Sequence, residues 1–132
     1  MPKFDRTRTL EQLESELWPH NDFGSHVVQE SQRLRKIPLE QLTVENLRLL
    51  IGQAIGLSFL VPIALEHLES NLLAHGDFYP GDLLASLRAV PKDFWSEHTS
   101  LNNAMVELGS DVFGVHKTLS ELLPFLQRFQ YK

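Results

Sequence analysis

The side chains best suited to chemistry in this sequence are its six histidines, because imidazole is a common metal ligand and a general base near neutral pH. They occupy positions 20, 26, 67, 75, 98 and 116, and none is paired at the i, i+4 spacing of a helical zinc site. The chain has no cysteine, which excludes thiolate zinc sites and disulfide bonds and is ordinary in a reducing compartment. The sequence therefore predicts no metal site and a cytoplasmic location.

A turn-rich segment from Gly76 to Asp82 carries two carboxylates that allow two interpretations. Asp77 and Asp82 could serve as an acid and base pair, and with His75 they could use a metal ion taken from solution. Alternatively, an aspartate at the start of a helix caps free amides and favours the positive end of the helix dipole. Capping or bracing of the loop is the favoured interpretation. The chain has no phosphate-binding glycine loop and no Gly-x-Ser-x-Gly nucleophile motif.

The charge of the chain favours a basic protein partner over nucleic acid. Seventeen acidic residues against twelve basic ones give a formal net charge of −5, which opposes attraction to phosphate. The basic run Arg33–Lys36 is short, and we interpret it as a solvated helix end rather than part of a nucleic-acid reader. Residues 51–96 carry five carboxylates and only two basic side chains, so electrostatic steering should originate there.

Capping and spacing signals predict helices along the first half of the chain. Thr9 precedes apolar residues at helical spacing up to Leu17, and a glutamine three positions later completes a capping box. Thr43 is a second cap. The apolar stripe that follows it extends to Ala54 and Ile55 and predicts the central helix of the core.

The remaining segments of the chain are also predicted to be helical. Pro62 cannot donate a backbone hydrogen bond, so the sequence predicts a break or kink there and a new helix from about Pro62 to Ser70. Further helices are expected over about 25–36, from residue 82, over about 100–109 and over 117–129 with a kink at Pro124. No segment is long and apolar enough for a membrane span. We expect an all-α, single-domain bundle of five to seven short helices over residues 1–132.

Three segments carry a more specific signal: Leu47–Leu57, Leu60–Leu65 and Gly76–Leu84. They resemble the immunity proteins of bacterial contact-dependent growth inhibition systems. The shared features are an isoleucine and glutamine followed by Gly-Leu, a Pro-x-Ala-Leu turn of helix and a Gly-Asp-x-Tyr-Pro-Gly-Asp-Leu-Leu loop. The resemblance covers residues 45–96 and ends near Phe94-Trp95.

The resemblance implies a non-enzymatic inhibitor that binds the toxic C-terminal domain of a surface-delivered effector, in a one-to-one complex and without a cofactor. Toxins of these systems are often nucleases, and the basic face of a nuclease suits an acidic inhibitor. The motif residues set backbone geometry, so we expect contacts from flanking carboxylates and an aromatic anchor. These candidates are Glu66, Glu69, Asp77, Asp82, Asp93 and Trp95. A helical adaptor without a toxin partner is the alternative function.

Overall fold

A computed structural model of the chain describes residues 3–19 and 23–110, and all regular structure in these ranges is helical. This confirms the predicted all-α bundle. The helices are α1 (Leu10–Glu14), α2 (His26–Leu34), α3 (Val44–Gly52), α4 (Leu57–Ser70), α5 (Asp82–Arg88) and α6 (Lys92–Glu97), with a short 3₁₀ helix at Leu39–Gln41. Residues 99–110 are helical as well. The helix expected over residues 117–129 lies outside the described residues.

The predicted caps of α1 and α3 are confirmed. The backbone amide of Gln12 donates to the Thr9 hydroxyl at 3.2 Å, and the Gln12 side chain accepts from the Thr9 amide. Thr43 and Asn46 form the same reciprocal pair at the start of α3. Each pair satisfies two amides that would otherwise lack partners in the first turn, which fixes where these helices begin.

The predicted break at Pro62 is wrong, because Pro62 lies inside the continuous helix α4. The helix begins earlier, where Gly56 adopts a left-handed φ of 61° and its carbonyl accepts from the amide of Leu60 at 2.9 Å. Pro62 removes only one intrahelical bond, the one its missing amide would make with the carbonyl of Ser58. Its ring is buried, so apolar packing offsets that loss.

Two other expectations fail where a residue takes a left-handed conformation. Helix α1 ends at Glu14 because Ser15 has a φ of 52°, and Leu17, expected to face inward, is 79% exposed. Helix α3 ends before Ala54, which has a φ of 57° and is exposed. A left-handed residue redirects the chain, so the three- and four-residue spacing beyond it no longer describes one helix face.

Helix α3, predicted as the central helix of the core, packs against α2, α4 and α5, and α4 is deeply buried beside it. Residues 60–65 of α4 are all buried, so protein covers every face of this stretch, whereas the last turns of the helix reach the surface. Helix α3 contributes Leu47, Leu50 and Ile51 to the same core and packs against α4 and, most extensively, α5. The packing of α3 on α5 places the loop that precedes α5 beside α3. No helix in the described ranges is long and apolar enough to cross a membrane.

Candidate functional site

The loop of residues 76–82 is held from within by the carboxylate of Asp82. This side chain is 3% exposed and accepts hydrogen bonds from the backbone amides of Gly76 at 2.7 Å and Phe78 at 3.2 Å. The N-cap position of α5 belongs to Gly81, with a φ of 91°, so Asp82 does not cap the helix. Of the two structural roles expected for Asp82, the structure shows bracing of the loop.

The Asp82 carboxylate is ionised in this environment. Burial raises the pKa of Asp82, but hydrogen bonds from the backbone amides of Gly76, Phe78 and Tyr79 and the charge of Arg48 outweigh it. The pKa of Asp82 therefore lies below its ordinary value of 3.8. A buried carboxylate that stays charged because amides donate to it suits a fixed structural acceptor and not a general acid.

Helix α3 holds the same loop from outside through Glu45 and Arg48. The Glu45 carboxylate accepts from the amide of Asp77 at 3.1 Å and from the Nη2 of Arg48 at 2.7 Å. The hydrogen bond from Arg48 lowers the pKa of Glu45. The Arg48 guanidinium also lies 3.9 Å from the Asp82 carboxylate and 4.3 Å from the ring centroid of Phe78. Sequence reasoning missed both α3 residues, since their i, i+3 spacing indicates an ion pair but not what it contacts.

Gly76 is packed so closely against α3 that a larger residue should destabilise the fold. A Cβ atom at Gly76 would lie 2.9 Å from the Cα of Glu45 and would also overlap its carboxylate, which holds Asp77. We expect Gly76→Ala to lower the free energy of unfolding by about 1–3 kcal/mol, the usual cost of overpacking. Urea denaturation followed by circular dichroism measures the change.

Gly52 is the matched control for this substitution. A Cβ atom there meets no other atom within 4 Å, and Gly52 is the last residue of α3. Gly52→Ala should therefore leave stability unchanged or raise it by about 0.5–1 kcal/mol through its better helix propensity. Equal stability of the Gly76→Ala variant and the wild type would contradict the close packing of the loop on α3.

The outer side of the loop presents an apolar surface that the sequence analysis did not predict. Phe78 is 69% exposed, Tyr79 is 54% exposed and the neighbouring Leu73 is 61% exposed. The carbonyl of Leu73 accepts from the amide of Gly81 at 3.3 Å, which joins Leu73 to the loop. We refer to Leu73, Phe78 and Tyr79 as the aromatic loop edge. The sequence feature that could have indicated this surface is the pair of adjacent aromatic residues before the proline-glycine turn.

The remaining candidate carboxylates lie at the surface of other elements. Glu66 and Glu69 are exposed on α4, and Asp93 is exposed in the first turn of α6. Glu66 accepts two hydrogen bonds from Arg6, at 2.6 and 2.7 Å, which lower the pKa of Glu66. The ion pair of Arg6 and Glu66 borders an open groove of about 390 Å³ over Leu42 and Ile63. Of the candidates, the structure brings Asp77 and Asp82 into one loop.

Trp95, predicted as an aromatic anchor, packs against the core and keeps part of its ring accessible. It is half-buried against the core, and its ring meets that of Phe94 edge to face with centroids 5.4 Å apart. Its accessible part lines a shallow groove of about 410 Å³ together with Lys92, Ser96, Thr99 and Asn102. Packing holds Trp95 in place and leaves part of the ring available to a partner.

The interpretation of Arg33–Lys36 as a solvated helix end is wrong for Arg35. Arg33 and Lys36 are exposed, but Arg35 is 1% exposed. Its guanidinium pairs with the Glu14 carboxylate, donates to the carbonyl of Glu16 at 2.7 Å and lies 4.2 Å from the Trp18 ring centroid. The run thus has only two accessible cations, which further weakens the case that it binds nucleic acid.

Two residues of the enzyme hypothesis, His75 and Asp82, are engaged in structural contacts. The Nδ1 of His75 lies 2.8 Å from its acceptor, the carbonyl of Gly76, and Asp82 is buried beneath the loop amides. Asp77 is the one exposed carboxylate of the 76–82 loop. Within residues 3–19 and 23–110, no group of three or more histidine, aspartate or glutamate side chains is arranged to hold a metal ion.

A profile of the CDI immunity proteins matches residues 12–105, which include α2 to α6 and the whole 76–82 loop. No curated protein and no solved structure matches the chain.

Proposed function

We propose that this chain, which belongs to the family of CDI immunity proteins, binds the toxic C-terminal domain of a cognate contact-dependent growth inhibition effector and neutralises it. The observation that carries the proposal is the family match over residues 12–105, which spans the helices of the core and the braced loop. The chain would act in the cytoplasm as a single domain of residues 1–132, bound one to one with the toxin. It would act by occupying a surface of the toxin, without a cofactor or chemistry of its own.

The charge of the chain supports a toxin with a basic face, such as a nuclease. A net charge of −5 and the excess of carboxylates over residues 51–96 would attract a phosphate-binding surface and accelerate association. The proposed contacts are the exposed carboxylates and the accessible edge of the α6 tryptophan, namely Glu66, Glu69, Asp77, Asp93 and Trp95. Asp82, predicted as a further contact, is buried, and we propose that it contributes by holding the loop.

Calorimetric titration with the C-terminal domain encoded directly upstream, catalytically inactivated, tests this function. We expect one-to-one binding with a Kd on the order of nanomolar, as in other tight inhibitor complexes. Co-expression of the active domain should allow growth only when this protein is present. An unrelated toxin domain of similar charge serves as the control, since attraction by charge alone would bind both.

The absence of binding to the upstream domain would contradict the proposed function. It would favour the alternative, a helical adaptor that binds a protein other than a toxin. Binding without protection of growth would also contradict neutralisation, because it would show a complex that leaves the toxin active.

A further inference from the structure

We propose that the aromatic loop edge is the surface on which the toxin domain docks. Phe78 and Tyr79 would enter an apolar recess on the toxin, and basic toxin residues would surround that recess. This inference rests on the proposed function and adds to it the docking surface and the chemistry of the partner surface.

The first argument is the exposure of three large apolar side chains at one place. Leu73, Phe78 and Tyr79 are each more than half exposed. Leu73 is continuous with the loop, since a Cβ atom at Gly81 would lie 3.9 Å from its Cδ2. Single exposed apolar residues are common, but three on one loop and the residue bonded to it indicate a binding surface. Aromatic side chains contribute most to such surfaces because they bury a large area at a low cost in conformational entropy.

The second argument is the fixed conformation of the backbone that carries the aromatic residues. The three successive amides of Gly76, Asp77 and Phe78 all donate to carboxylates, the outer two to Asp82 and the middle one to Glu45. The Arg48 guanidinium lies against the Phe78 ring, which remains 69% exposed. A loop already held in one conformation loses little entropy on binding, so its contacts translate efficiently into affinity.

The third argument is charge, and it identifies the partner surface. The loop and its support contain three carboxylates, Glu45, Asp77 and Asp82, against the single guanidinium of Arg48. Asp77 is exposed directly beside Phe78. The potential around the aromatic loop edge is therefore negative, and it complements a basic rim on the toxin. A nuclease surface that grips phosphate has this character.

The test is calorimetric titration of the inactivated upstream toxin domain with variants of this protein. We expect Phe78→Ala, and separately Tyr79→Ala, to weaken binding by about 30-fold or more, as truncation of an interface anchor does. The matched control is Phe23→Ala, the same substitution at a phenylalanine that is 99% exposed just before α2. It should change the Kd by less than about threefold. Thermal unfolding of each variant verifies that it is folded.

Association rates test the electrostatic part. Asp77→Asn should slow association several-fold at low salt and have little effect at high salt, where exposed charges are screened. Wild-type affinity of both the Phe78→Ala and Tyr79→Ala variants would overturn the docking surface while the proposed function stands. An equal loss from Phe23→Ala would overturn it too. Failure of the wild-type protein to bind would remove the proposed function itself.

Discussion

Replacing Glu14 by glutamine is expected to lower the free energy of unfolding by about 2–3 kcal/mol, because it leaves a buried guanidinium without its counter-charge. Arg35 is 1% exposed and pairs with the Glu14 carboxylate at the end of α1. Glutamine keeps one carbonyl acceptor but removes the charge. Since Nε of Arg35 already lacks a hydrogen-bond partner within the described residues, few other contacts compensate. Urea denaturation followed by circular dichroism at 222 nm measures the change.

Glu16 supplies the matched control for this prediction. It lies two residues from Glu14 and contacts Arg35 through its backbone carbonyl, at 2.7 Å from Nη2. Glu16→Gln therefore removes the same charge from the same segment while the contact to Arg35 is retained, and it should change stability by less than about 0.5 kcal/mol. Equal effects of the two substitutions would show that the net charge of the segment matters and the buried pair does not.

The fluorescence of Trp18 provides a second readout at the same site. Its ring centroid lies 4.2 Å from the Arg35 guanidinium, which is held in place by Glu14 and Glu16. Loss of the Glu14 carboxylate should loosen this contact and change Trp18 emission in the folded state. Glu16→Gln should leave the emission unchanged. If Glu14→Gln changed only the global stability, the Trp18 emission of the folded state would be unchanged in both variants.

The features that sequence predicted correctly depend on neighbours within one helical turn. Thr9 and Thr43 satisfy amides three residues away, so their capping role is visible in a short window. The burial of Arg35 was missed because its partner Glu14 is 21 residues distant. The contact of Glu45 with the Asp77 amide spans 32 residues, and so the support of the loop was missed as well. Such pairs form only when the helices pack, and their spacing in the chain carries no signal of them.

The same distinction applies to the candidate binding residues. Charge composition identified an acidic segment, but it could not separate the exposed carboxylate of Asp77 from the buried one of Asp82. Both lie in one short loop, and only the direction of each side chain decides which meets solvent. The exposure of Phe78 and Tyr79 also depends on that loop geometry, because aromatic residues are more often buried in a core than exposed. These residues could therefore be assigned only from the folded structure.

Asp82→Asn is expected to lower the free energy of unfolding by about 2–3 kcal/mol at pH 7, the range for hydrogen bonds to a charged group. The carboxylate accepts from the amides of Gly76 and Phe78 through different oxygen atoms. In asparagine one of these oxygens becomes an NH₂ group, which cannot accept, so one buried amide loses its partner. Asp77→Asn in the same loop is the control, and since Asp77 is exposed it should change stability by less than about 0.5 kcal/mol.

The pH dependence of stability shows whether the charge of the Asp82 carboxylate or only the shape of its side chain holds the loop. The folded-state pKa of Asp82 is lowered from 3.8, so its contribution is complete well above that pH and is lost as the pH falls through the folded value. Stability of the wild type should therefore fall below pH 4, and the gap between it and Asp82→Asn should narrow over the same range. A gap that stays constant down to acid pH would contradict stabilisation by the ionised carboxylate. It would mean that the shape of the Asp82 side chain, and not its charge, holds the loop.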